Sequence, residues 1–399
     1  MTRTKRAIGL LVAIFGGALA VSNSLATVVA KVDASRAYSL APYDSRIAAR
    51  YAARQFANVT TEQDRRRLVQ TAEHAIEGDA TAVDALVALA FNSQLGGEGK
   101  RESALFDYIN KLSRREFQAQ GWAIEDAVNR GDIKRALFEY DVALRTSETA
   151  RNLLFPVLSS ALAEPRIRAE LLEILKKKPN WTNNFVQQLV NQPDASLSAV
   201  ALIEEAEAGG VTLPLEDEQN ARLVDNLFDS KNFDAAWKVY AKFRKSSSRT
   251  SSRNGQFESD VANATVFDWR GGEDPDIFVS IVPSKADGYA EYTLPTNGRA
   301  VALKQSQVLP EGRYIFEAMM DGPSEEQSSQ AYWSVQCLDG RELLRTEDPR
   351  NAARSSFLVP ANCPAQTLEL MVLPTANFSN NTGRVLRASI QLAEQRNVE

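Results

Sequence analysis

Ser103-Ala104-Leu105-Phe106-Asp107-Tyr108 returns further along the chain as Arg135-Ala136-Leu137-Phe138-Glu139-Tyr140, an offset of 32 residues (136 − 104). Self-similarity at a period of roughly 30–35 residues is the signature of stacked helix pairs. In each copy a small residue permits close approach of two antiparallel helices. An aromatic four residues later lies on the same face, one turn along. Gly131-Asp132-Ile133 supplies the turn that opens the second helix, and Ala143-Leu144 extends its apolar stripe.

Working outward, Ala82–Phe91 with Ser103–Leu112, and Gln118–Arg130 with Ile133–Leu144, read as two helical hairpins. Gly96-Gly97-Glu98-Gly99-Lys100 joins the first pair. It is not a phosphate loop, because Gln94 stands where that motif needs its first glycine and Arg101 where it needs Ser or Thr. The alanine register continues at Ala169 and again at Ala236, where Ala236 and Tyr240 restore the small–aromatic pair. Over about residues 80–245 this resembles the tetratricopeptide-repeat family. The resemblance implies a helical solenoid that holds protein partners on a concave face, with Ala104, Tyr108, Ala136, Tyr140, Ala236 and Tyr240 as its packing residues. The family's first-helix Trp and Gly are mostly absent, and Trp122 is out of register.

Upstream, Arg3, Lys5 and Arg6 form a basic tail before the apolar segment 7–30. A helix of that length reaches about 36 Å, enough to span a bilayer, and the preceding charges put the rest of the chain outside the cytoplasm. A cleaved signal peptide, cut after Ala20 or Ala26, is the other reading, and both export the body of the chain. Pro42 and Asp44 then signal a helix over Ser45–Phe56. Thr60 with Gln63 reads as a capping box for a helix to about Ile76, striped by Leu68, Ala72, Ala75 and Ile76.

Downstream, Lys245–Gly255 carries no apolar residue and reads as a linker over 245–256. Beyond it the period changes from 3.6 to 2. Phe267 alternates with Trp269, Tyr314 with Phe316, Trp333 with Val335 and Cys337, and Leu386 with Ala388 and Ile390. With turn signals at Gly271-Gly272, at 295–298 and at Asp339-Gly340, the segment 257–399 reads as an antiparallel β-sandwich of jelly-roll or immunoglobulin type. The expected architecture is therefore multidomain, α then β: repeats over 31–244, then linker, then sandwich.

Composition narrows the chemistry. A net charge of −5 over 399 residues argues against a nucleic-acid surface. One His and two Cys cannot build a thiolate or imidazole metal cluster within one chain. His74 lies off its helix's apolar stripe without a nucleophile in view, and Arg65-Arg66-Arg67 is a solvated helix face. No Gly-x-Ser-x-Gly elbow is present. Glu273-Asp274-Pro275-Asp276 reads as a polar turn, with a Ca²⁺ loop as the alternative. Cys337 and Cys363 are even in number and confined to one region, as expected of a disulfide in an oxidising compartment, with two buried thiols as the alternative.

The sandwich looks like the carbohydrate-binding accessory modules of bacterial envelope proteins. That resemblance implies stacking of sugar rings on exposed aromatics, with Trp269, Tyr292 and Tyr332 as candidates. The expected function is a membrane-tethered periplasmic adaptor without cofactor. Its repeats would bind an envelope protein, and its sandwich a glycan or second protein, in envelope or exopolysaccharide assembly. An envelope glycan hydrolase or lyase is the rival class, recognisable by a pocket with two facing carboxylates of raised pKa.

Overall fold

The computed structural model describes residues 2–245, 247–259, 261–273, 277–294, 300–321, 331–346, 354–372 and 381–393, with backbone alone for residues 2–12, 14, 15, 294 and 381. Asp274, Pro275 and Asp276 of the acidic turn, and the turn at 295–298, lie outside the described residues. The chain divides into two compact units, one of residues 1–154 and 169–181, the other of residues 155–168 and 182–399.

The first unit begins with α1 (Thr2–Val29), α2 (Ala34–Leu40), α3 (Ser45–Phe56) and α4 (Glu62–Gly78). The hairpins α5 (Val83–Leu95) with α6 (Gly99–Leu112), and α7 (Phe117–Asn129) with α8 (Ile133–Thr146), follow. Its core is rich in alanine. Ala48, Ala49 and Ala52 of α3, Ala72 and Ala75 of α4, and Ala85 and Ala88 of α5 are buried in one cluster, where small side chains bring the helix backbones close. Asp44 caps α3 by accepting from the Arg46 and Ile47 amides. The cap of α4 is Thr61, accepting from Asp64 N, one residue later than the capping-box reading of Thr60.

Among the described residues no helix is long and apolar enough to cross a membrane. The end of α1 belongs to the helical unit. Ala26 and Ala30 are buried with Ala37, Ala41 and Ile47, and Ser22 Oγ donates to Leu40 O at 2.6 Å. This corrects the 7–30 boundary, because the packed body starts inside the expected anchor. The side chains of residues 7–12, on which that expectation mostly rests, lie outside the description.

The second unit opens on parts of α9 (Glu148–Ala161) and α10 (Pro165–Leu175). It continues through α11 (Thr182–Val190), α12 (Ser196–Ala208), α13 (Asp217–Asp229) and α14 (Phe233–Phe243). The helices α5, α7, α12 and α13 end alike. Gly97, Gly131, Gly210 and Lys231 take φ of 71°, 69°, 71° and 62°, the left-handed cap in which the next amide reaches back to an orphan carbonyl. Asp132 N donates to Ala127 O at 2.9 Å and Asn232 N to Leu227 O at 2.8 Å.

Among the described residues ten strands follow: β1 (Arg270–Gly271), β2 (Phe278–Val282), β3 (Tyr289–Leu294), β4 (Ala300–Gln307), β5 (Gly312–Asp321), β6 (Ala331–Cys337), β7 (Glu342–Arg345), β8 (Ser355–Val359), β9 (Gln366–Val372) and β10 (Asn381–Leu392). They form two antiparallel sheets, ordered 2-3-10-5-8 and 1-4-9-6-7. The strands β3 to β10 follow jelly-roll winding, with β2 and β1 added at one edge of each sheet. Between the sheets lie Tyr314 and Phe316 of β5, Trp333 and Val335 of β6, Leu368 and Leu370 of β9, and Ala388 and Ile390 of β10. The alternation read in the sequence is the alternation of these inward positions.

The segment 245–256 is not a free linker. Ser252 N donates to Ile390 O at 2.9 Å, Leu392 N to Thr250 O at 3.1 Å and Ala388 N to Gly255 O at 2.8 Å. Because β3 pairs only with Asn381–Val385 of β10, the second half of β10 has an open side there, and this segment occupies it. A Cβ at Gly255 would sit 2.9 Å from Ala388 O, so the approach requires glycine.

Candidate functional site

The expected packing pairs do not share one environment. Ala136, Ala236 and Tyr240 are buried and Tyr140 is half-buried, but Ala104 is exposed and Tyr108 is 41% exposed. In α6 the buried residues are Phe106 and Ile109, with the Phe106 ring stacked on Trp122 at 5.0 Å and edge-on to Phe91 at 5.8 Å. The structural period explains the slip. The starts of α5 and α7, and of α6 and α8, are each 34 residues apart (117 − 83 and 133 − 99), not 32. Two residues of slip turn a helix by about 200°, so the aligned alanines face opposite ways.

The three rings expected to stack on glycan are in the interior. Trp269 lies against Trp333 at 6.0 Å and donates from Nε1 to Asn254 O. Tyr292 lies over Gly383, where a Cβ would meet its hydroxyl at 2.4 Å. Tyr332 faces away from Trp333, yet the Arg345 guanidinium covers it, 4.3 Å from the ring centroid. None of the three is more than 9% exposed, so none offers a sugar platform. Cys337 and Cys363 are joined by a disulfide, which points to an oxidising, extracytoplasmic compartment. Among the described residues no group of three or more His, Cys, Asp and Glu is placed to hold a metal.

The densest polar constellation in the second unit centres on Arg253, from the expected linker. Its Nε donates to Phe267 O at 2.6 Å and its Nη2 to Ser306 O at 2.8 Å. The guanidinium also lies over the rings of Trp237, Tyr240 and Phe267. Tyr240 Oη donates to Asp268 Oδ1 at 2.7 Å, and Asp268 Oδ2 accepts from Thr265 N and Oγ1. A second pair ties α13 to the sandwich: Asp225 accepts from Val266 N at 2.8 Å and from Arg270 Nη2 at 2.6 Å. Burial draws the Arg253 pKa down to about 10, still cationic at neutral pH, while burial and the Asp268 charge push the Tyr240 phenol up. These groups are saturated with internal partners. The cluster is a fastening, without a face turned to a ligand.

Open concavity lies elsewhere. In the second unit a groove of 810 Å³ runs between α12 and α14, over Val200, Ile203, Val239 and Phe243, and Lys238–Glu204 and Lys242–Glu207 ion pairs link the two helices there. In the first unit a groove of 940 Å³ is walled by α3, α5 and the start of α7. Its lining combines apolar Ala53, Phe56, Val87, Phe91 and Leu95 with charged Lys31, Arg50, Arg54, Asp84 and Glu116. Asp84 and Arg50 pair at 3.4 Å. Burial, and then the Asp84 charge, raises the Glu116 carboxyl above its usual range. The groove is not visible in the sequence because its charged residues come from α3, α5 and the segments before α2 and α7, and form no local motif.

The raised Glu116 carries a prediction. Its native pKa lies above its unfolded value, so it contributes stability below that unfolded value and loses it as pH rises through the native one. Glu116→Gln is therefore expected to raise the melting temperature at pH 7 and leave it unchanged near pH 4, read by thermal unfolding at the two pH values.

No protein-family model matches this chain, and no curated protein matches it. A crystal structure of accessory secretory protein 1, 2 and 3 in Streptococcus pneumoniae is similar over 37% of this chain and 99% of its own, at 12% identity and a TM-score of 0.25. Likeness at that score carries no argument.

Proposed function

We propose that this chain is an exported adaptor whose first unit holds a segment of an envelope protein in the groove between α3, α5 and α7. One observation carries the reading: a 940 Å³ concavity shared by the leading helices of successive hairpins and lined by both apolar and charged side chains. A peptide segment needs that combination, with apolar side chains buried for affinity and polar groups fixing its register. With Trp269, Tyr292 and Tyr332 in the core, the expectation of glycan stacking on these rings loses its residue basis. A photo-crosslinking amino acid at Leu95 in the cell is expected to give a discrete protein adduct, and one at Tyr108 on α6 none. Equal adducts at both positions would remove the groove from the reading.

A second reading rests on Glu116. A carboxyl raised by burial beside a second carboxylate that pairs with an Arg is the arrangement of a glycan-cleaving acid and its partner. It requires turnover of an envelope glycan, lost in Glu116→Gln. The adaptor reading expects no turnover from the parent protein.

A further inference from the structure

We infer that the segment held in this groove carries a side-chain carboxylate flanked by apolar residues. The inference rests on the reading of the groove as a partner site. Arg50 and Arg54 are one turn apart on α3, and Lys31 precedes α2. Arg50 is engaged by Asp84, whereas Arg54 and Lys31, both exposed, have no ion-pair partner among the described residues. The lining thus holds three cations against two carboxylates, one of which burial disfavours in its charged form. An occupant that shields this lining from water leaves an excess of positive charge unless it brings an anion. The apolar residues set where the anion sits. Val87, Phe91 and Leu95 recur at four-residue spacing on one face of α5, and Leu95 is 69% exposed at its end. Asp84, which meets Arg50, lies in the first turn of α5, and the lining continues to Leu95 at the other end, so the occupant continues beyond its anion. That places the carboxylate on a side chain and not at a chain terminus.

The test uses the full-length protein and three fluorescent pools of C-terminally amidated 12-residue peptides. Each pool is randomised among Leu, Phe and Ala around a central Glu, Gln or Lys. Fluorescence polarisation is expected to show the Glu pool binding about tenfold tighter than the Gln pool, and the Lys pool weakest. The Glu–Gln gap should fall to about twofold in the Lys31→Gln/Arg54→Gln variant and at high salt, as exposed charges are screened. Both substitutions are at exposed positions, and circular dichroism checks that the fold is kept. If the Glu and Gln pools bind equally and Leu95→Asp releases both, the carboxylate inference is overturned and the groove reading stands. If no pool binds, both fall.

Discussion

Arg253→Met is expected to destabilise the second unit by about 3–5 kcal/mol, the cost of breaking a buried charged network by removing one member. Methionine fills much of the volume but donates nothing, so the carbonyls of Phe267 and Ser306 lose their donor. Asp268 loses the cation that offsets its charge, and each buried polar group left unmade costs about 1–3 kcal/mol. For a unit of this size the midpoint should fall by about 10 °C. Arg249→Met is the control. That half-exposed guanidinium pairs with Asp234 and donates from Nε to Val308 O at 2.9 Å, and its loss should cost about 1 kcal/mol. Thermal unfolding of the two variants side by side checks the contrast.

Phe267→Ala should cost a similar amount by another route. The ring is fully buried and meets Phe228 at 5.5 Å, Trp237 at 5.4 Å and Tyr240 at 5.2 Å. All three partners come from α13 and α14, so the truncation opens a cavity where helices and sandwich meet inside the second unit. A Phe→Ala change of this kind costs about 3–5 kcal/mol. The expected outcome in denaturant is one transition at a lower midpoint. A split into two transitions would mean that Phe267 is what makes helices and sandwich cooperative.

The elements themselves were legible in the sequence. The start of α3 follows from the Pro42 and Asp44 signal, and the strands follow from alternation, because burial of one face imposes period 2. The register of the repeats was less so. Two Ala-Leu-Phe-acid-Tyr runs invite alignment at 32, but volume decides which side turns inward, and Phe106 displaces Ala104 from the core of α6. The linker was misread for a related reason. A polar stretch reads as solvated when only side-chain hydropathy is counted, yet Thr250, Ser252 and Gly255 dock through backbone groups, which hydropathy does not register. Arg253 buries against partners more than 50 residues away, Gln305 and Gln307 among them. The glycan rings failed by a one-way rule: aromatics in strands are first of all core. The groove was illegible because Arg50, Asp84 and Glu116 meet only once the hairpins have stacked.

The helices α13 and α14 and the sandwich belong to one compact unit fastened at Arg253, and they should unfold as one, in place of two modules on a tether. Hydrogen exchange in increasing denaturant, followed by mass spectrometry, tests it most directly. The claim predicts that peptides from residues 217–243, 300–307 and 388–392 lose protection at one denaturant concentration and shift down together in Arg253→Met. Exchange of 217–243 at lower denaturant, with 300–307 and 388–392 still protected, would contradict it.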